Sequence, residues 1–92
     1  NADVFNQDIG SWNVSSVTNM NRMFSYAAVF NQDIGSWNVS SVTDMGSMFN
    51  AAAVFNQNLS GWCVSNITVA PTNFDANASS WTLARPVWGT CP

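Results

Sequence analysis

Histidine, glutamate and lysine do not occur in this 92-residue chain, whose charged side chains are five Asp and two Arg, Arg22 and Arg85. Charged residues make up 8%, against about 25% in an ordinary globular domain. General acid–base and nucleophilic catalysis near neutral pH draw mainly on His, tuned Glu or Lys, or a Cys beside a base. With those types missing, the chain is read as non-enzymatic, and no cofactor is expected. Two Arg against five Asp give a net charge of -3, so there is no basic face to neutralise phosphates and nucleic acid is excluded as a partner. Apolar runs stop at five residues, as at 51–55, far short of the roughly 20 needed to cross a bilayer. A basic n-region followed by an apolar h-region is also lacking, so any signal peptide is expected to have been removed or to lie outside this segment.

What is present is repetition. Residues 4–18 recur unchanged as 29–43, a period of 25. A looser third copy runs through Val54, Phe55, Asn56, Gln57, Leu59, Trp62, Val64, Ile67 and Thr68. A fourth begins near Phe74 and dissolves, with Ser80 at the place of Phe55, Asn73 at that of Met48, and Pro71 in the first turn. A fixed period of this size marks a stacked repeat architecture.

The apolar spacing changes within a copy. Met20, Met23, Phe24 and Ala27 fall at i, i+3, i+4 and i+7 behind Thr18, a good N-cap; Met45, Met48, Phe49 and Ala52 repeat this behind Thr43. That spacing predicts a short helix. Ile9, Trp12, Val14 and Val17 follow the L-x-x-L-x-L-x-x spacing of a leucine-rich-repeat strand. The expected fold is thus an α/β repeat solenoid, leucine-rich-repeat-like, with one short strand and one short helix per 25-residue coil and a degenerate C-terminal cap. One domain over residues 1–92 is expected, with coils at about 1–24, 25–49 and 50–74 and the cap at 75–92. Equivalent side chains would sit about 4.8 Å apart along the stack.

The string F-N-Q-D-I-x-x-W-N-V-S-S-V-T-x-M-x-x-M-F-x-x-A, followed over roughly residues 2–74, resembles the BspA-like leucine-rich-repeat surface proteins in their 25-residue variant. The resemblance implies a secreted or cell-surface, often adhesive, repeat array with no catalytic residues to carry over. Residues 77–92 depart from the pattern and inherit nothing from it.

In a secreted chain without His, Cys63 and Cys91 read as a disulfide stapling the cap to the third coil, in preference to a metal site; the alternative is two buried free thiols. Sequons stand at Asn13, Asn38, Asn58, Asn66 and Asn77. A eukaryotic source would be expected to glycosylate at least one, with Asn66 and Asn77 the least crowded, and a bacterial source none. Asn6, Asn31 and Asn56 recur in register and read as an amide ladder between coils, in preference to a ligand site. Asp8, Asp33 and Asn58 line up on adjacent coils. Calcium binding or action on a glycosidic bond is the sharper reading of them, and turn acceptors the plainer one, because no further oxygen ligands are evident. Trp12, Trp37 and Trp62 recur with the core residues and are expected to be buried, leaving Trp81 and Trp88 as the indoles free to be exposed, which equally fit covering the end of the solenoid or meeting a partner.

An uncapped N-terminal end beside a capped C-terminal end suggests either further copies upstream or head-to-tail docking onto residues 81–92 of a neighbour. The expected function is therefore extracellular, non-enzymatic and structural or adhesive, either self-associating into a filament or forming the capped end of a longer surface array, with the chain itself, head to tail, or other surface proteins as partners. The second reading is a module that binds glycan or protein through Asn13, Ser15, Asn38 and Ser40.

Overall fold

The amides of residues 20–27 show what the apolar stripe builds. An α-helix would send each to the carbonyl four residues back. In the computed structural model, which describes residues 4–92, they alternate instead. Met20, Arg22, Phe24 and Tyr26 donate to the carbonyls of Asp44, Gly46, Met48 and Asn50 in the next copy, at 2.8–2.9 Å. Between them, Met23, Ser25 and Ala27 close turns onto Met20, Arg22 and Phe24. Arg22 and Tyr26 have φ of 61°, a left-handed conformation that an α-helix does not contain. Residues 45–52 do the same. Ser47, Phe49 and Ala51 cross to Thr72, Phe74 and Ala76, while Met48, Asn50 and Ala52 turn back, with φ 55° at Ser47 and 61° at Ala51.

The other half of each copy is also a run of turns. Trp12, Trp37 and Trp62 donate to Ile9, Ile34 and Leu59, and Val17, Val42 and Ile67 donate to Val14, Val39 and Val64. A parallel bridge between Asn19 and Asp44 stands alone. Among the described residues there is no helix and no strand beyond that bridge. The expected α/β solenoid, leucine-rich-repeat-like with a strand and a helix per coil, is therefore corrected to a compact body of turns and coil. A three-residue turn places apolar residues inward at i and i+3, which imitates the helical spacing locally, so periodicity alone could not separate the two.

The period survives in the packing. Phe5, Phe30 and Phe55 stack with centroids 5.5 and 5.8 Å apart, and Phe24 lies 5.5 Å from Phe49. The two columns meet face to face, 4.3 Å apart at Phe24–Phe30 and at Phe49–Phe55. Ile9, Ile34 and Leu59, then Val14, Val39 and Val64, are buried in the same core, as are Ala27, Ala52 and Ala78. Burying one of these Phe, Ile, Leu or Val side chains contributes about 1.5–3 kcal/mol. The body measures 30 × 25 × 22 Å, with a radius of gyration of 11.9 Å.

The last copy is offset by one residue. Left-handed residues recur at 22, 47 and 73 and at 26, 51 and 77, so the final interval is 26 where the first is 25. The extra residue lies among 68–70, where the chain bends at exposed Val69. This shift overturns the expected alignment of the cap. Phe74, and not Asn73, takes the place of Met48, and Trp81, and not Ser80, takes that of Phe55. Trp81 meets Phe55 edge-on at 4.9 Å and 87°, and Phe74 meets Phe49 at 5.3 Å and 79°. The parallel stacks end on perpendicular rings.

Candidate functional site

The repeated polar surface begins with Asx turns. In each copy an Asn or Asp accepts, through Oδ1, the amide two residues on: Asp8 from Gly10, Asp33 from Gly35 and Asn58 from Ser60. Asn13 and Asn38 accept both the amide and the hydroxyl of Ser15 and Ser40. Asn19 and Asp44 accept from Asn21 and Gly46. Short polar side chains serve here because they reach their own backbone. Gly35 is required by proximity, since a Cβ there would lie 2.8 Å from the Asn58 carbonyl oxygen.

Asn6, Asn31 and Asn56 tie the copies together. Asn31 N donates to Asn6 Oδ1 at 3.0 Å, Asn56 N to Asn31 Oδ1 at 2.9 Å, and Thr82 N and Leu83 N to Asn56 Oδ1 at 2.9 and 3.0 Å. Gln32 and Gln57 brace the ladder from Nε2 to Asn6 and Asn31 Oδ1, each at 3.0 Å. On the inner side, Trp37 Nε1 donates to the Ile9 carbonyl and Trp62 Nε1 to that of Ile34.

Trp12 departs from the expected burial of the repeated indoles. Trp37, Trp62 and Trp81 are buried, whereas Trp12 is 53% exposed. Trp12 belongs to the first copy, with no described copy in front of it. Trp88 is half-buried against Phe74, 4.9 Å away. Arg85 sits 4.5 Å over the Trp81 ring and pairs with Asp75 at 2.9 Å.

Cys63 and Cys91 are joined as a disulfide. The bond pins residues 81–92 alongside 55–64, where Ala84 and Thr90 also accept the amides of Leu59 and Val64. Among the sequons, Asn66 is engaged through its amide, which donates to the Ser40 carbonyl at 3.0 Å, and Asn77 is an exposed residue with φ 61°. The surroundings of Asp44 alter its acidity. The Gly46 amide, and after it the Asn21 side chain, hold its carboxyl below the usual value of 3.8. Among the described residues, no three His, Cys, Asp or Glu side chains gather as metal ligands, and no helix is long and apolar enough to cross a membrane.

The surface is thus a regular array of Asn, Ser and Asp turn groups, laid out by the chain period and largely committed to its own backbone. Sequence reasoning missed the left-handed positions. In the first two copies they are Arg22, Tyr26, Ser47 and Ala51, none of which advertises that conformation, whereas Asn73, Asn77 and Gly89 further on do. No curated protein and no solved structure matches the chain. A family model described as "Mycoplasma protein of unknown function, DUF285" matches residues 1–85, and the chain accordingly belongs to the DUF285 family.

Proposed function

We propose that this chain is an extracellular, non-enzymatic structural or adhesive protein whose copies stack in register, serving as a self-associating unit or as the capped end of a longer array. The observation that carries the reading is the copy-to-copy bonding: the same amides, indoles and Asn side chains reach the same partners one period away. Such a stack has the same interface at every step and is extensible in principle. Its disulfide suits an oxidising, secreted setting, where the pinned tail makes the chain a capped end and self-association follows release of the tail, and the resemblance of the repeat string to BspA-like surface proteins supports the same setting. The test is to duplicate residues 29–53 in place. The lengthened chain is expected to fold cooperatively and to resist urea better than the parent, because one more interface is formed. Loss of folding, or no gain in stability, would refute an extensible stack.

A second reading, binding of glycan or protein, rests on the row of exposed Asn13 and Asn38 with half-buried Ser15 and Ser40. The Asn Oδ1 atoms are used by the turns, which leaves the amide Nδ2 donors for a ligand. A glycan-array signal abolished by Asn13→Ala with Asn38→Ala would favour this reading; an unchanged signal would reject that row.

A further inference from the structure

We infer that residues 81–92 occupy a docking face for a second copy of this chain, and that the Cys63–Cys91 disulfide is the latch that keeps that face closed. The inference rests on the self-stacking reading above and names the partner and the control. The first observation is polarity. Along the flank formed by 20–27, 45–52 and 71–78, every cross-copy bond runs from an amide of one copy to a carbonyl of the next. One end of the flank therefore presents acceptors, the carbonyls of Asn21, Met23 and Ser25. The other presents donors, the amides of Asn73, Asp75 and Asn77. Among the described residues, neither row has a backbone partner. Two like ends cannot pair, so a dimer symmetric about this flank is excluded and the complementary contact is head to tail.

The second observation is register. Continuing the pattern places Asn73, Asp75 and Asn77 on the carbonyls of Asn21, Met23 and Ser25 in a second copy. It also places residues 4–17 of that copy directly on 55–67. That slot is filled by 81–92. The tail fills it with weaker matches than a true copy would. Trp81 Nε1 reaches the Gln57 carbonyl, but the Trp88 indole makes no bond of the kind Trp37 and Trp62 make to Ile9 and Ile34. A second copy would supply Asn6 to the Asn56 amide ladder and the Trp12 indole to the Leu59 carbonyl. It would also cover its own apolar depression lined by Phe5, Ile9, Trp12, Met23 and Phe24.

Opening the latch is a two-electron exchange. A thiolate of a dithiol reductant attacks one cysteine sulfur, its second thiol closes a cyclic disulfide on the reductant, and Cys63 and Cys91 leave as thiols. The tail then competes with a second copy for the slot.

The experiment is sedimentation of the full chain, oxidised and dithiol-reduced at equal concentration, with near-UV circular dichroism as the check on folding. Cys63→Ser with Cys91→Ser serves as a reductant-free version. The expected result is a monomer when oxidised and at least a doubling of weight-average mass when reduced or in the double variant. Trp12→Glu, at a half-exposed position, should keep its folded spectrum and remain monomeric after reduction. The inference is overturned by a reduced chain that stays folded and monomeric, by an oxidised chain that already assembles, by a reduced chain that unfolds, or by reduced Trp12→Glu assembling like the parent. None of these results bears on the copy-duplication test, so failure of the latch is distinguishable from failure of the stacking reading.

Discussion

Gly35→Ala tests the stacking most directly, because the added methyl group meets backbone. Its Cβ would stand 2.8 Å from the Asn58 carbonyl oxygen and 3.2 Å from Asp33 Oδ1. The Asp33 atom already holds the Gly35 amide at 2.9 Å, and the Asn58 carbonyl belongs to the next copy, so neither can retreat without loosening the stack. Overpacking of this kind costs about 1–3 kcal/mol, and each kcal/mol lowers the melting temperature of a domain this size by about 4–8 °C. Gly61→Ala is the internal control, because its nearest neighbour outside the local chain is the Gly35 carbonyl oxygen at 3.9 Å. With room available, the entropy removed from the unfolded chain should make it neutral or stabilising by about 0.4–1 kcal/mol. Urea unfolding of both variants at unchanged m-value measures the difference. A Gly35→Ala midpoint equal to or above that of Gly61→Ala would refute the close approach of the copies.

Trp62→Phe removes the buried indole bond to the Ile34 carbonyl at 2.9 Å and should cost about 1–3 kcal/mol in urea unfolding; a neutral result would mean the indole bond adds nothing to packing. Asn31→Ala deletes an Oδ1 that accepts from both Asn56 N and Gln57 Nε2, at an exposed site where a loss of about 1 kcal/mol is expected. Equal stability of that variant would demote the ladder to decoration. The Asp44 carboxyl should titrate below 3.8 by carbon NMR. Its folded value is depressed, so its contribution is present above the unfolded value and is lost as pH falls through the folded one. Asp44→Asn keeps the turn acceptor and should erase that acid-range loss; a midpoint at or above the ordinary value would contradict the bonds to Gly46 and Asn21. Alkylation without reductant should add no mass to the chain, whereas two labels would show Cys63 and Cys91 to be free thiols.

The recurrence of residues 4–18 at 29–43 made the stack legible, and with it the Asn6, Asn31 and Asn56 alignment. The local conformation was not legible. Met20, Met23, Phe24 and Ala27 satisfy a helical stripe and a chain of turns equally well, and the deciding feature, the left-handed φ at Arg22 and Tyr26, falls on residues that favour neither. The tail was misread for a different reason. An aromatic at Trp81 in place of Phe55 looks out of phase until the extra residue near Val69 is allowed for, and a strict 25-residue ruler cannot allow for it.

The alternation of amides between turn and neighbouring copy has a kinetic consequence. Neither 20–27 nor 45–52 can order itself first as a helix would, because alternate amides wait for partners 24–25 residues away, as Met20 waits for Asp44 and Phe49 for Phe74. Each step must close a chain loop before any lateral bond rewards it, and a topology so dominated by distant pairings folds slowly for its length. Once one pair of copies has closed, the next loop adds to a formed template. Refolding should therefore be limited by the first closure and should quicken in chains given additional copies.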